Sequence, residues 1–388
     1  MRVVGYTSGA NPCGIADYHQ KVAAGLSVAG VQCDTVRLPT ASVYRDRPLA
    51  LWRRRQLYAE LAARSRAYDG VLLDLLTQWN GFRSGENMLP AFINHLRGPV
   101  FMIVHEWPAM LDPENEAQSL PRQLVKQLVR RTSQYGELGG LPYDEWMAER
   151  VFGRAGHILV HAGALRDRLL ALGIPGERIT FATFPIPRVP DRARSKRVDE
   201  FARRFAHRRK IVIFGFPHPR KSLELAVEAL PQLPADVVLM FVGGIDGDSR
   251  QNYVRSLQEL GRALGVLDRM EFLGEIPEAS LPFAFELAEF ALAPYSYATG
   301  SSSFSYLISE GVPLVASDLP EHQALAQDGA GVVMFKMGDA SALAHEVNRM
   351  LSDQEGLRRL AAQNRALAQR HTYNNLASLI RDRLKEMI

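Results

Sequence analysis

Residues 294–317 read PYSYATGSSSFSYLISEGVPLVAS. Pro294 and Tyr295 end an apolar run, and Thr299-Gly300-Ser301-Ser302-Ser303 make a small-residue loop. A helix follows, Gly311 turns the chain, and Pro313–Ser317 opens a new apolar strand. Strand, loop, helix, strand is the repeating unit of a parallel α/β sheet. The loop sits where the helix begins. Helix starts carry unpaired N–H groups and the positive end of the dipole, so they hold anions. Gly300 would let a ligand come close to the backbone, and the serine hydroxyls add donors. Two readings of the loop stand: a phosphate site, or an N-cap by Ser or Thr.

The rhythm extends in both directions. Ile211–Gly215, Val237–Val242, Met270–Leu273, Phe290–Ala293 and Gly331–Phe335 read as buried strands. With Pro313–Ser317 they predict about six parallel strands covered by helices on both faces. The loop Phe216–Ser222 (FPHPRKS) leads into a helix with Leu223, Ala226, Val227 and Leu230 on one face. Arg220 and Lys221 therefore lie, like Thr299–Ser303, at strand carboxyl ends of one sheet. A cation plus a helix start is a sound way to hold a diphosphate. The alternative for Lys221, a solvated first-turn lysine, is weakened because a cation there opposes the dipole.

A second series precedes this one. Arg2–Thr7 reads as a strand, SGANPCG as a turn, and Ile15 to about Val28 as a helix with Ile15, Tyr18, Val22 and Leu26 on one face. This opens a Rossmann-like unit. No GxGxxG fingerprint is present, so no dinucleotide cofactor is expected. Gly70–Leu76, Pro99–Val104, Gly156–His161 and Ile179–Phe184 read as further strands. Ligands gather at strand carboxyl ends in such sheets, which nominates Gln78, Trp79, His105 and Glu106. His105 and Glu106 are neighbours on a strand and point opposite ways, so one serves a ligand while the other packs or caps. Residues 186–210 run from prolines into RARSKRVDEFARRFAHRRK and read as an inter-domain linker ending in a helix. The tail from Ala340 reads as helical.

With 388 residues the chain predicts two or three domains. No apolar run approaches the roughly 20 residues needed to span a bilayer. Gly5 and Thr7 break the apolar start, so no secretory signal is expected. Two cysteines, Cys13 and Cys33, give neither a disulfide framework nor a zinc cluster, and a reducing, cytoplasmic setting is expected. The net charge of +4 is uneven: residues 1–190 hold 22 basic and 17 acidic side chains. Arg53-Arg54-Arg55, Arg122 to Arg131 and Arg192 to Lys210 are basic clusters. Each reads as a solvated face or as a contact for nucleic acid or anionic lipid. Trp52 and Tyr58 beside Arg53–Arg55 suggest peripheral contact at the inner face of a membrane. No aromatic-basic platform for nucleic acid is evident.

The segments FGFPHPRKSLELAVEAL, EFLGEIPEASLPFAFELAEFALAPYSY and GVPLVASDLPEHQAL resemble the retaining GT-B glycosyltransferases of family GT4. In the first half, GIADYHQKVAAGL, IVHEWPA and AGHILVHAGALRDRLLALGIP match the same family. The resemblance runs over nearly the whole chain. It implies an α/β GT-B fold, two Rossmann-like domains facing across a cleft: 1–195 for the acceptor, 196–372 for a nucleotide diphosphate sugar, and a helix at 373–388 packing back on the first domain. It implies sugar transfer to a glycan, lipid-linked or small-molecule hydroxyl, with retention, without a metal and without a resident cofactor, the donor being UDP- or GDP-linked. A partner subunit without catalysis, or a sugar-nucleotide epimerase, is the alternative.

Residue by residue, the resemblance places Lys221 on the diphosphate, Gly14 against the donor and His105 near the reacting carbon. Leu273-Gly274-Glu275-Ile276 falls where backbone groups hold the base. Glu321 falls on a commonly acidic position, and Tyr373–Ile388 on the returning helix. The family's paired glutamates would fall on Ala298 and Tyr306, and its arginine after the strand glycine on Phe216. All three are absent. Arg220 is then the expected substitute cation, and Glu310, one turn after Tyr306, is either a ribose ligand or a solvated helix-end carboxylate.

Overall fold

The structure is a computed structural model that describes residues 1–9, 14–39, 49–75, 88–107, 143–189, 191–297 and 302–388, with backbone alone for 49–52, 90, 143 and 144. It divides into two compact units, Met1–Thr183 with Tyr373–Ile388, and Phe184–Thr372. Among the described residues each unit is built on one six-stranded parallel sheet.

Unit 1 holds β1 (Arg2–Ser8), β2 (Gln32–Leu38), β3 (Gly70–Leu75), β4 (Val100–Val104), β5 (His157–Val160) and β6 (Ile179–Phe181), in the order β2-β1-β3-β4-β5-β6. The central strands GVLLDL and VFMIV are buried throughout, as strands covered on both faces must be. The polar β2, QCDTVRL, is an edge strand with most residues partly exposed. Its lack of an apolar run is why the sequence reading passes over it. The order reverses between β1 and β3. In sheets of this kind ligands bind at the carboxyl ends beside such a reversal.

Unit 2 holds β7 (Arg209–Phe214), β8 (Val237–Val242), β9 (Met270–Gly274), β10 (Phe290–Ala293), β11 (Leu314–Ser317) and β12 (Val332–Phe335), in the order β12-β11-β10-β7-β8-β9. These are the strands the apolar runs predict. Here the reversal falls between β7 and β10, the strands followed by the turn that carries Lys221 and by the helix that begins at Ser302.

Three expectations change. The presumed linker is part of unit 2: Ile186 pairs with Thr372, Ser280 Oγ donates to the Ala193 carbonyl at 2.7 Å, and the helix Lys196–Arg204 buries Val198 and Phe201. The unit boundary therefore lies at Thr183/Phe184, ahead of the expected 195/196. The strand expected to Phe184 ends at Phe181. Arg53–Arg55 lie on a helix, Leu49–Ala63, where Arg53 and Arg55 are exposed but Arg54 is buried, so the cluster is not a uniformly solvated face.

The final helix, Tyr373–Met387, belongs to unit 1. Leu376, Ile380 and Leu384 recur at helical spacing and are buried, each contributing on the order of 1.5–3 kcal/mol. It packs on the helix Gly14–Val28, where a Cβ on Gly25 would meet Ala377 Cβ at 2.8 Å and the Tyr373 carbonyl at 3.0 Å. Only a residue without a side chain allows that approach. No described helix is long and apolar enough to cross a membrane.

Candidate functional site

In unit 2 polar and charged groups gather at the switch point between β7 and β10. β7 is followed by Gly215, at φ +102°, with its N–H on the Val242 carbonyl at 2.8 Å. A Cβ added here would run into both Lys221 Nζ and Ser303 Oγ. The two side chains thus meet over a bare α-carbon, one arriving from the β7 loop and the other from the first turn of the helix Ser302–Ser309. A strand-end glycine is required at this point for physical reasons.

The lysine is held by its own turn. Pro219–Lys221 is a short 3-10 turn capped by His218, whose Nδ1 accepts from the Arg220 N–H at 3.2 Å. Ser222 closes it at φ +44°, the one non-glycine residue with positive φ among the described residues. Such conformations persist where surroundings enforce them, often at sites of function. The Arg220 carbonyl accepts from Ser296 N–H at 3.0 Å and from Ser296 Oγ at 3.1 Å, tying this turn to the chain leaving β10.

Lys221 is 7 % exposed, its Nζ donates to the Phe214 carbonyl at 3.4 Å, and it stands 5.5 Å over the Tyr295 ring. Burial, and then the nearby charges of Arg220 and Arg250, push its pKa down to about 7. A buried amine among other cations is a site in want of an anion. Arg250 is absent from the sequence reading. Its guanidinium lies 4.2 Å over the ring of Phe216, the residue standing where the resemblance puts an arginine. That guanidinium comes from another helix, Asp248–Ala263, which no local sequence signal joins to the β7 loop.

The other nominated residues divide. Glu321, in the first turn of the helix after β11, is at the same carboxyl edge, and burial raises its pKa. Gly274 ends β9 at φ +69°, also at that edge. The neighbouring Leu273 and Glu275 carbonyls accept from Arg197 at 3.3 and 3.1 Å, and Ile276 is buried. Glu310 is not brought to the site. It follows the far end of the helix Ser302–Ser309, about 12 Å along the axis from Ser302. There its carboxylate meets Arg192 at 2.7 Å, and Arg192 also holds Glu286 at 2.9 Å. Tyr306 instead donates its hydroxyl to Glu278 Oε1 at 2.7 Å. Thr299, Gly300 and Ser301 lie outside the described residues.

In unit 1, His105 follows β4 at the carboxyl edge, and its Nε2 lies 3.1 Å from Asp74 Oδ1. Glu106 is half-buried, and Trp107, next in the chain, is buried beneath Arg168 at 4.2 Å. Gly14 is the exposed first residue of its helix, with open space around its α-carbon. Gln78 and Trp79 lie outside the described residues. Asp74 and His19, fully buried and 2.6 Å apart, belong to no motif in the sequence. An aspartate inside the otherwise apolar GVLLDLL was the available signal.

Residues 208–353 match the family described as Glycosyl transferases group 1. The phosphatidyl-myo-inositol mannosyltransferase of Mycobacterium leprae is 30 % identical over 180 residues, 44 % of this chain and 45 % of the relative. The D-inositol 3-phosphate glycosyltransferase of Xylanimonas cellulosilytica is 28 % identical over 166 residues, 42 % of this chain and 38 % of the relative. The match spans under half the length of each of these relatives. Among solved structures, Anabaena HepE in complex with UDP and glucose aligns over 100 % of both chains with a TM-score of 0.71 at 16 % identity. The sucrose-phosphate synthase of Thermosynechococcus elongatus aligns over 100 % of this chain and 98 % of its own, with a TM-score of 0.72 at 16 % identity. The fold is GT-B.

Proposed function

Since this GT-B chain carries a glycosyl transferases group 1 domain over residues 208–353, we propose that it is a hexosyltransferase, moving a sugar from a nucleoside diphosphate sugar to a hydroxyl acceptor with retention. The observation that carries this is the meeting of Lys221 Nζ and Ser303 Oγ over Gly215 at the switch point of the unit 2 sheet. The donor diphosphate sits there, on the Lys221 ammonium and the amides and hydroxyls of Ser302 and Ser303. Arg220 and Arg250 add positive potential. Anabaena HepE, which shares this fold, is solved with UDP and with UDP-glucose, which supports a nucleoside diphosphate sugar as donor; UDP- and GDP-linked sugars are the candidates.

Catalysis is electrostatic stabilisation of the charge that develops on the leaving diphosphate. In front-face displacement the sugar–phosphate oxygen bond breaks as the acceptor oxygen bonds to the same carbon. The acceptor proton passes to the departing phosphate oxygen. Unit 1 serves the acceptor, with His105 orienting the substrate through a hydroxyl that does not react. A glycan, a lipid-linked sugar or a small polyol fits this chemistry, and relatives named for inositol and phosphatidylinositol acceptors support the last two. The exposed Arg53 and Arg55 suit peripheral contact with an anionic membrane from the cytoplasmic side. Flotation with anionic liposomes at low and high salt tests that contact.

The donor assignment is tested by thermal shift against a panel of UDP- and GDP-sugars, followed by hydrolysis or transfer of the one that stabilises. Lys221→Ala is expected to abolish turnover with the fold intact, and wild-type turnover in that variant would remove Lys221 from the diphosphate. The missing glutamates, with Tyr306 in one place, favour as second reading a non-catalytic subunit of this fold. Failure to bind any nucleotide would decide for it.

A further inference from the structure

Unit 1 contains a row of ionisable groups that the donor site does not use. It runs from Cys33 on β2, through His19 on the helix Gly14–Val28 and Asp74 on β3, to His105 after β4. Asp74 is fully buried, with Oδ2 2.6 Å from His19 Nδ1 and Oδ1 3.1 Å from His105 Nε2. Burial by itself would raise the Asp74 pKa. The charge of His19 and hydrogen bonds from His105 and His19 outweigh it and hold Asp74 ionised, well below the ordinary carboxylate range. An ionised carboxylate only accepts. Each imidazole nitrogen facing it must therefore carry a proton.

For His19 the consequence is a cation. Burial pulls its pKa down, but the field and hydrogen bond of Asp74, with Cys33 beside it, drive it well above the ordinary value. Its Nε2 lies against Gly5 and the Cys33 sulfur, where a Cβ on Gly5 would collide with the ring, and Cys33 raises its pKa further. The negative charge of Asp74 is thus matched on the side away from the strand ends. For His105 the consequence is a tautomer. With Nε2–H donated to Asp74, a neutral ring keeps its lone pair on Nδ1.

The remaining neighbours hold the ring without competing for that lone pair. Tyr18 packs edge-on against it, centroids 4.9 Å apart at 87°. The Tyr18 hydroxyl is 2.8 Å from His161 Nε2, and His161 Nδ1 donates to the Ala182 carbonyl at 2.8 Å. Burial pushes the His161 pKa down to about 3, so that ring is neutral and Tyr18 is the donor. Among the described residues, the groups facing His105 are Asp74 from β3, Tyr18 from the first helix and His161 from the end of β5, with Glu106 next in sequence.

We propose that Asp74 is a positioning residue. It locks His105 in the Nε2–H tautomer, presenting Nδ1 as a lone pair that receives a substrate hydroxyl other than the one that reacts, while the buried His19 cation satisfies the carboxylate so that His105 need not be charged. The functional half of this statement rests on the proposed transfer reaction. The tautomer half does not.

The test uses the full chain with nitrogen-15 labelled histidine, and His105→Gln and His19→Gln to assign the two rings. At pH 7.5 His105 is expected as a single Nε2–H tautomer, and His19 with both nitrogens protonated. In Asp74→Asn, His19 is expected to lose its proton and His105 its single tautomer. A wild-type spectrum with His105 in the Nδ1–H form, or with His19 neutral, overturns the proposal even if Asp74→Asn does not fold. With a UDP- or GDP-sugar that the wild type turns over, Asp74→Asn is expected to lower kcat by at least about tenfold at unchanged donor KM. Unchanged kcat overturns the positioning role. The expected spectra together with no nucleotide binding would support the tautomer lock and count against glycosyl transfer.

Discussion

The ammonium of Lys221 occupies the space that a side chain on Gly215 would need. Gly215→Ala therefore carries two penalties: a Cβ at φ +102°, worth about 1–3 kcal/mol, and displacement of Lys221 and Ser303. The expected result is reduced stability in urea unfolding and loss of the thermal shift given by UDP. An alanine variant that still responds fully to UDP would show that the lysine is not held there for an anion.

Lys221 titrates at about 7 in the folded protein, well below an ordinary lysine. Above that pH the folded chain sheds this proton while the unfolded chain keeps it. Stability from this group alone therefore rises with pH through that interval. A bound diphosphate favours the charged form. At pH 8, UDP binding is expected to take up about one proton, and affinity to fall as pH rises above about 7. Calorimetry in buffers of different ionisation enthalpy measures the uptake, which Lys221→Met should remove.

The His19–Asp74 pair gives unit 1 a pH optimum. Asp74 has a folded pKa below its unfolded value. Its contribution is present above the unfolded value of roughly 4 and lost as pH falls. His19 has a folded pKa above its unfolded value. Its contribution is complete below roughly 6.5 and declines as pH climbs through the folded value. Both are fully present between about pH 4 and 6.5. Asp74→Asn strands a buried imidazole and is expected to cost about 3–5 kcal/mol. Denaturant titrations of the two proteins across pH would show the difference shrinking below pH 4.

The contact of Gly25 with Ala377 sets how closely the last helix approaches the first. Gly25→Val is expected to cost about 1–3 kcal/mol through overpacking and to speed proteolytic loss of residues after Thr372. Unchanged proteolysis would mean that the helix is held chiefly by Leu376, Ile380 and Leu384.

Much of this was legible in the sequence because burial writes itself into composition. The central strands β3, β4, β7, β8 and β10 are short apolar runs, and each such run became a strand. The edge strand β2 was not legible, since one exposed side removes the apolar signature. The turn PHPRKS and the serine loop could be placed at strand ends because their glycines, prolines and small residues do not extend a helix or strand.

The sequence by itself determined the α/β alternation, the strand count of unit 2 and the nomination of Lys221 and His105, because these follow from local periodicity and turn chemistry. Only the tertiary structure decided which groups meet. It set Arg250 over Phe216 from a helix more than thirty residues on, turned Glu310 away toward Arg192, and joined His19, Asp74 and His105 from three separate elements. Such contacts depend on strand order and crossover packing, which no local spacing encodes. The stretch 294–317 shows both sides: its helix and strand were readable as written, but the partner of Ser303 was a lysine eighty-two positions earlier, brought to it by the pairing of β7 with β10.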